Sequence, residues 1–507
     1  MEARPVAIVL VGFMGAGKTT GARTLAAELG VEAIDSDREL ELRLGEPIEA
    51  FFDRAGEGDF RAREEETVCE LLERADGAVI ALGGGALGSE RVREALARHI
   101  VVHLEIDPED AWRRASGKGR PLARDPARFA QLQGDRLPVY ESVADAVIPP
   151  ADRDALRRAV PFVEALRDAP SGTRMVWAAA ESGDYPVFLG RGLIEAGFLP
   201  ALRGRRFVVT DENVARLQRI PDEQRIVILA GEEHKTMQGA EHVLRSLARA
   251  GAERGDLVVA MGGGVVGDLA GFCAGVYQRG MRHVQVPTTL VAQVDSAYGG
   301  KTGVDLREGK NYVGVFHQPA AVLCDPAALD TLPAEELSAG YTEVVKTALI
   351  AGGPLWARVR QGGAPGAREI MGCLRTKLAV VAEDERDGGR RQVLNLGHTV
   401  GHAIEAATGY TRYRHGEAVG IGLLAALRLS GREALRAEVS ELLAARGLPL
   451  EFSGAGVDEV LALVDRDKKR EGGRVPFVLV EAPGEVTPGH VVSSEALRGA
   501  IEEVCAG

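Results

Sequence analysis

The chain has 507 residues, 45% hydrophobic and 27% charged, the composition of an ordinary folded protein and, at roughly 150 residues per domain, enough for about three. A formal net charge of −13 excludes the basic surface that nonspecific nucleic-acid binding needs, and no apolar run reaches the ~18 residues of a membrane span. Five scattered cysteines (Cys69, Cys273, Cys324, Cys373, Cys505), without C-x-x-C, point to reduced thiols in cytoplasm, and Val6 to Met14 is too short a run, leading into a glycine loop, for a signal peptide.

The first element is a strand, Val6 to Val11, followed by Gly12-Phe13-Met14-Gly15-Ala16-Gly17-Lys18-Thr19 and an Ala-rich helix to about Leu29. This is G-x-x-x-x-G-K-T in its required context, strand before and helix after. Gly12, Gly15, Ala16, Gly17, Lys18, Thr19 and Thr20 would cradle a nucleoside triphosphate. Backbone N–H groups of the loop and helix N-terminus hold phosphates, Lys18 reaches the β/γ-phosphates, and the Thr19 hydroxyl sits on Mg²⁺. The motif names the phosphate donor and leaves the acceptor open.

A second strand ends at Asp35-Ser36-Asp37, placing two carboxylates at the strand ends where α/β ligands bind. Phe60-Arg61 opens an Arg/Glu-rich helix. The strand Ala78 to Leu82 runs into Gly83-Gly84-Gly85, where bare backbone could approach a ligand. Arg120-Pro121-Leu122 reads as a mobile lid, and Arg136-Leu137-Pro138-Val139-Tyr140 closes the set. Three arginines and an acidic pair around a P-loop describe a kinase for a small anionic polyol. Arginines would clamp its carboxylate bidentately, and an Asp would orient the attacking hydroxyl.

Residues 4 to 168 resemble shikimate kinase, through D-x-D, F-R, GGG, R-P-L and R-x-P-x-Y in that order. The resemblance implies that Asp37, Arg61, Gly83, Gly84, Gly85 and Arg136 bind shikimate. It makes Arg120 the lid arginine at the ATP phosphates, gives Asp35 a share in Mg²⁺, and assigns catalysis to Lys18, Asp37 and Arg120. Ala123, after R-P-L, departs from the common second leucine.

Asp152 to about Asp168 reads as a helix closing this domain (1–168), and Ala169-Pro170-Ser171-Gly172-Thr173 as the core of a linker (169–174), because Pro and Gly break the helix. Strands restart at Met175 to Ala179 and Tyr185 to Leu189. Later strands end in Asp211-Glu212-Asn213 and in Gly231-Glu232-Glu233-His234-Lys235. Leu257 to Met261 leads into Gly262-Gly263-Gly264 and then Asp268: strand, glycine turn, helix, so that backbone amides could meet a pyrophosphate. The pattern is not the usual G-x-G-x-x-G and is weak alone. Thr288-Thr289, Asp295-Ser296, Gly299-Gly300-Lys301 and Gly309-Lys310-Asn311 add hydroxyls and lysines suited to a phosphorylated or dinucleotide ligand.

From Cys324 the pattern turns helical. His398 and His402 stand four apart, on one face if helical, and His415 follows a polar turn. Of only ten histidines in the chain, three fall within eighteen positions, which suits Zn²⁺ or a related ion. Thr399 follows His398 where H-E-x-x-H would need a Glu, excluding a metalloprotease helix. A catalytic site usually keeps three protein ligands and an open position, and Glu343, one helical turn before Lys346, is the candidate carboxylate.

Gly340-Tyr341-Thr342-Glu343-x-x-Lys346, Leu394-Asn395-x-Gly397-His398-Thr399-x-Gly401-His402-Ala403-x-Glu405 and His415-Gly416-Glu417-Ala418 resemble 3-dehydroquinate synthase. Residues 175 to 507 are similar to that family almost throughout. The resemblance implies an α/β NAD-binding domain (175–323), then a mostly helical metal- and substrate-binding domain (324–507), with the site between. It puts Zn²⁺ or Co²⁺ on Glu343, His398 and His415. It puts NAD⁺ against Asp211, Asn213, Glu232, Lys235, Gly263, Gly264, Asp268, Thr288, Thr289, Lys301 and Lys310. The substrate's carboxylate and phosphate would meet Asp295, Lys301, Lys310, Asn311, Lys346, Lys377, Arg391, Asn395 and one of Lys468 or Lys469. His402 would handle a proton, and Arg279 would reach into the neighbouring subunit of a homodimer.

The implied reaction converts 3-deoxy-D-arabino-heptulosonate 7-phosphate to 3-dehydroquinate and phosphate, with NAD⁺ oxidising one alcohol transiently and being regenerated in each turnover. One chain would thus hold two non-consecutive enzymes of aromatic biosynthesis, acting on small molecules. Two other readings compete. A C-terminal polyol dehydrogenase would not need the Lys/Arg/Asn set, and an N-terminal ATP sensor would not need Asp37, Arg61 and Arg136.

Overall fold

A computed structural model describes residues 6–75, 77–116, 125–149, 153–200, 202–218, 224–468 and 475–506. Arg120 and its lid, and the side chains of Lys468 and Lys469, lie outside the described residues. The chain divides into two compact units. The first runs through residue 179 and takes in 184–188 and 198–202; the second holds 180–183, 189–197 and everything from 203 on.

In the first unit the strands are β1 (Ile8–Val11), β2 (Ala33–Asp35), β3 (Val79–Ala81), β4 (Ile100–Leu104), β5 (Ala146–Ile148), β6 (Arg174–Ala178) and β7 (Tyr185–Leu189), in spatial order β2-β3-β1-β4-β5-β6-β7. All of β1, Ile-Val-Leu-Val, is buried, the unbroken apolar run of a strand covered on both faces. It pairs in parallel with β3 (Leu10↔Ala81) and β4 (Leu10↔Val102). The chain leaves β1 toward β2 and β3 and returns to β4 on its other side. The crevice at the carboxyl end of β1 is therefore the switch point where α/β ligands bind. Gly12 turns there with φ 148, and a Cβ on it would lie 2.5 Å from the Leu104 carbonyl oxygen. The helix Lys18–Leu29 follows and ends on Gly30, φ 68. The helical stretch Ile48–Arg74 is broken at Gly56, which separates its first turns from the segment carrying Arg61.

After residue 168 the chain makes a tight turn, with Thr173 N–H donating to the Pro170 carbonyl at 3.1 Å. It then passes directly into β6, which pairs in parallel with β5 (Ala146↔Met175, Val147↔Val176). The strand after the expected linker thus extends the first unit's sheet.

In the second unit β8 (Arg206–Asp211), β9 (Gln224–Ile228), β10 (Leu257–Gly262), β11 (Arg282–Pro287) and β14 (Ala321–Cys324) lie in the order β14-β11-β10-β8-β9. Each neighbouring pair is parallel. The antiparallel hairpin of β12 (Lys301–Leu306) and β13 (Gly309–Phe316) stands apart from that sheet. Helices follow, among them Ala334–Ala351, Ala367–Glu383, His398–Ala407 and His415–Leu429.

Glycine sets how closely these helices pack. A Cβ on Gly416 would collide with the Ala339 carbonyl, and one on Gly422 with the carbonyl of Gly397, itself at φ 79. Bare backbone at the crossings lets three helices converge, and they carry Glu343, His398 and His415.

Candidate active sites

In the first unit, Gly15 and Gly17 of the P-loop both have φ 87, and the Ala16 N–H donates to the Phe13 carbonyl at 3.2 Å. Lys18 Nζ donates to the carbonyls of Gly12 (2.8 Å) and Phe13 (3.2 Å), so the ammonium curls over the loop. Thr20 follows in the helix's first turn. The Thr19 hydroxyl donates to Asp35 Oδ2 at 2.6 Å. The other Asp35 oxygen accepts from the N–H of Asp37 at 3.1 Å and of Arg38 at 3.4 Å, capping the helix Ser36–Leu44. A hydroxyl and a carboxylate oxygen side by side at the P-loop fit Mg²⁺, a cation that prefers oxygen donors.

The residues expected at the acceptor gather around the glycine strip. A Cβ on Gly83 would collide with the Asp37 carboxylate and lie 2.9 Å from Glu64 Oε1, and one on Gly85 would run into the Arg61 guanidinium. Arg136 Nη1 (2.9 Å) and the Tyr140 hydroxyl (2.8 Å) both donate to the Gly84 carbonyl. Arg61, Gly84, Gly85, Arg136 and Tyr140 line a cavity of about 1070 Å³. Glu64 lines it too and was not expected. It is 5% exposed, pairs with Arg61 Nη1 at 2.5 Å, and burial pushes its carboxyl up against the opposing pull of Arg61. Its only sequence signal is its position one helical turn beyond Arg61.

In the second unit, one ligand atom each from His398, His402 and His415 lie within 4.8 Å of one another. Glu343 is fully buried, and neither carboxylate oxygen has an aligned hydrogen bond among the described residues. Its Oε1 is 3.7 Å from His398 Nε2 and 3.8 Å from His415 Nε2. On the far side of each ring, His398 Nδ1 meets the Leu396 carbonyl at 3.1 Å and His415 Nδ1 meets Glu405 Oε2 at 3.3 Å. A carbonyl and an ionised carboxylate can only accept, so both imidazoles carry a proton on Nδ1 and, when neutral, turn a bare Nε2 toward Glu343. Two bare nitrogens and a buried carboxylate are a donor set that fits a divalent metal.

His402 differs. Its ring centroid lies 5.2 Å from that of His398 and 5.8 Å from that of His415, it is exposed, and among the described residues no hydrogen bond fixes either nitrogen. Although its edge opens into the cavity, the surrounding protein desolvates the ring, and this together with the neighbouring His415 pushes its pKa down to about 4. His398 is driven well below its ordinary value by burial and then by Lys346. At His415 burial pulls downward, but Glu405 outweighs it and raises the pKa.

Cations surround this centre. Lys346 Nζ lies 2.5 Å from Glu343 Oε2 and 3.5 Å from Asp295 Oδ2. Lys377 donates to the Asp295 carbonyl at 2.7 Å and to its carboxylate. Burial resists ionisation of Asp295, but the two lysines outweigh it and hold the carboxyl well below its usual range. Arg391 is 1% exposed, and its guanidinium meets the carbonyls of Gly299 (3.0 Å) and Glu385 (2.5 Å). Lys301 pairs with Asp387. Asn395 is exposed at the end of the short helix Arg390–Asn395, and Arg279 is exposed on the turn Tyr277–Arg279 with φ 67.

A cavity of about 1560 Å³ joins most of the residues expected at NAD⁺ to His402 and His415 of the histidine cluster. Asp211, Asn213, Glu232, Lys235, Gly263, Gly264, Asp268, Thr288, Thr289 and Lys310 line it, with Asp295, Asn311, His402 and His415. Gly263 caps the helix Gly264–Val276, and a Cβ there would come 2.9 Å from Thr289 Cγ2. The Asp211 carboxylate accepts from the N–H of Asn213 and Val214, both at 2.9 Å. Thr288 Oγ1 is buried without a partner among the described residues, a polar handle left for a ligand. Lys235 sits among Glu232 (2.7 Å), Asp268 (3.4 Å) and Asp305 (3.7 Å). Burial pushes Asp268 up to about 6 while Lys235 opposes it. Asp305, whose carboxylate also receives the Asn311 N–H at 2.7 Å, was not expected; neither was a role for Glu405.

A P-loop with an arginine-lined acceptor cavity in one unit, and a dinucleotide-sized cavity ending at a metal-competent cluster in the other, define a chain with two separate α/β enzyme sites. Residues 14–167 match the family model of shikimate kinase, 225–339 that of the N-terminal part of 3-dehydroquinate synthase, and 340–470 that of its C-terminal part. The 3-dehydroquinate synthase of Rhodopseudomonas palustris (strain BisA53) is 42% identical over 365 residues, covering 65% of this chain and 96% of that protein. That of Nitrobacter winogradskyi is 44% identical over 347 residues, covering 61% and 90%. Among solved structures, 2-epi-5-epi-valiolone synthase from Streptomyces hygroscopicus subsp. jinggangensis, with NAD⁺ and Zn²⁺ bound, superposes with TM-score 0.59 at 27% identity, over 64% of this chain and 98% of that one. The chain belongs to the 3-dehydroquinate synthase family and carries shikimate kinase ahead of it: a bifunctional enzyme of the shikimate pathway, phosphotransferase and lyase. The matches do not favour the polyol dehydrogenase or ATP-sensor readings.

Proposed function

We propose that the residues gathered in each unit carry these two activities, with ATP and Mg²⁺ at the first site and with NAD⁺ and one Zn²⁺ or Co²⁺ at the second. The observation that carries the synthase assignment is the pair of Nδ1-anchored imidazoles facing the buried Glu343 carboxylate. The presence of NAD⁺ and Zn²⁺ in 2-epi-5-epi-valiolone synthase supports the cofactor choice.

At the kinase site Thr19 and Asp35 would hold Mg²⁺, which when bound neutralises charge on the phosphates. Lys18 exchanges its two loop carbonyls for phosphate oxygens. Asp37 orients the attacking hydroxyl and takes its proton. Arg61 and Arg136 hold the carboxylate of shikimate, and Glu64 holds Arg61 in place.

At the synthase site Glu343, His398 and His415 would hold the metal, which when bound polarises a substrate oxygen, while NAD⁺ when bound reversibly accepts a hydride. Lys346 and Lys377, neutralised by Asp295 and Glu343, turn to the anionic substrate as it enters. Lys301, Arg391 and Asn395 complete its phosphate and carboxylate contacts. His402, open to the cavity with neither nitrogen fixed by a hydrogen bond among the described residues, receives or returns a proton.

The finer organisation belongs to the same proposal: a kinase domain to residue 168, a linker at 169–174, the NAD-binding part to 323 and the metal part beyond. So does a cytoplasmic homodimer in which Arg279 meets a second copy. In its support, all five cysteines are free thiols, no described helix is long and apolar enough to cross a membrane, and Arg279 is exposed.

The test is to give the purified chain shikimate with Mg-ATP, and separately 3-deoxy-D-arabino-heptulosonate 7-phosphate with NAD⁺ and Co²⁺. Shikimate 3-phosphate and ADP are expected from the first, and 3-dehydroquinate with phosphate from the second. Absence of either pair of products removes the corresponding assignment.

A further inference from the structure

Glu405 lies on the helix His398–Ala407, 2% exposed. Burying a carboxylate is costly unless its oxygens are engaged, and here each has a different partner. Oε2 meets His415 Nδ1 at 3.3 Å, and Oε1 accepts from Lys310 Nζ at 2.9 Å. Lys310 is itself placed by Glu232 Oε1 at 3.8 Å and by the ring of Tyr410, whose centroid lies 4.9 Å away.

We propose that Glu405 is the positioning residue of the metal centre, holding His415 in the tautomer and orientation that present Nε2 to the ion, with Lys310 holding Glu405. This rests on the reading that Glu343, His398 and His415 are the ligands. Glu405 approaches the nitrogen of His415 opposite to the one facing Glu343, so it acts through the imidazole and does not compete for the same ion. The two histidines are anchored differently. The Leu396 carbonyl that fixes His398 belongs to the backbone, whereas His415 depends on a side chain. Without Glu405 the ring loses its Nδ1 anchor, is free to turn, and becomes a weaker donor. Removing such a partner typically weakens metal binding ~10–100-fold.

The measurement is a Co²⁺ titration of the full-length protein, following both affinity and the visible absorption bands of bound cobalt. Glu405→Gln keeps the side chain's size and an acceptor oxygen but removes the charge. It should bind Co²⁺ ~10–100-fold more weakly, with shifted bands and the wild-type stoichiometry, while His415→Ala binds none. Wild-type affinity and bands in Glu405→Gln, beside loss in His415→Ala, would overturn the positioning role and leave the ligand set standing. Complete loss in Glu405→Gln, with the protein folded by circular dichroism, would make Glu405 a ligand and also overturn it. Wild-type binding by His415→Ala would bring down the ligand set itself. If Glu405→Gln does not fold, Lys310→Met carries the test: weaker Co²⁺ binding supports the proposal, and unchanged binding refutes it.

Discussion

A single methyl group should distinguish helix packing that builds the synthase site from packing that merely fills space. Gly416 is the second residue of the helix that begins with His415, and it faces Ala339 on the helix that carries Glu343. A Cβ there would lie 2.5 Å from the Ala339 carbonyl carbon and 3.0 Å from its Cα. Non-bonded carbons sit at about 3.5 Å or more, so Gly416→Ala must push the two helices apart by roughly 1 Å. The two helices carry Glu343 and His415, so the 3.8 Å separation of His415 Nε2 and Glu343 Oε1 would open by a similar amount. A displacement of that size costs on the order of 10²-fold in catalysis, or ~2.7 kcal/mol of barrier, and the overpacking costs ~1–3 kcal/mol of stability. Phosphate release at saturating metal, thermal unfolding and kinase activity on the same preparation supply the readout. Synthase kcat/KM should fall about 100-fold and Tm should drop, with ADP formation unchanged because Gly416 lies in the second unit. A variant with wild-type kcat/KM and Tm would refute the claim that bare backbone at this crossing sets the site.

Lys18→Met should abolish ATP-dependent phosphorylation of shikimate and leave 3-dehydroquinate formation near wild type; loss of both would mean the units do not function independently. His415→Ala should lose metal and synthase activity together, whereas His402→Ala should keep about one metal per chain and turn over ~10²–10⁴-fold more slowly. Metal analysis of the two proteins decides between them, and the reverse pattern would exchange the two residues' roles. Acid should destabilise the second unit through His283, whose ring nitrogens are both buried without partners among the described residues and whose pKa burial pushes down to about 3, with His317 adding to the effect. Below the unfolded value of ~6.5 the unfolded chain binds a proton that the folded one refuses, so this contribution is full above that value and is lost on acidification, by about 2 kcal/mol between pH 7 and pH 5. His283→Phe should therefore flatten the fall in Tm across that interval, and an unaltered slope would show that other groups control it.

Groups that chemistry requires at short spacing were legible in the chain. The P-loop declares itself because its backbone, Lys18 and Thr19 must meet phosphate and Mg²⁺ from a single turn. His398, His402 and His415 stand out because imidazoles are scarce here and cluster. What could not be read was which distant group sets each one's state. Glu405 and Lys310 are 95 residues apart, and Lys301 and Asp387 are 86 apart. The sequence therefore offered His402 and His415 as equal candidates, and only the family resemblance separated them. The structure supplies a physical reason for that choice: an imidazole becomes a directed ligand when something holds its other nitrogen, and Glu405 does this for His415 while nothing described does it for His402. The same gap explains the glycines. Gly416 and Gly422 look like helix-weakening residues locally, and only the facing carbonyls of Ala339 and Gly397 reveal that a side chain there would force apart the helices bearing Glu343, His398 and His415.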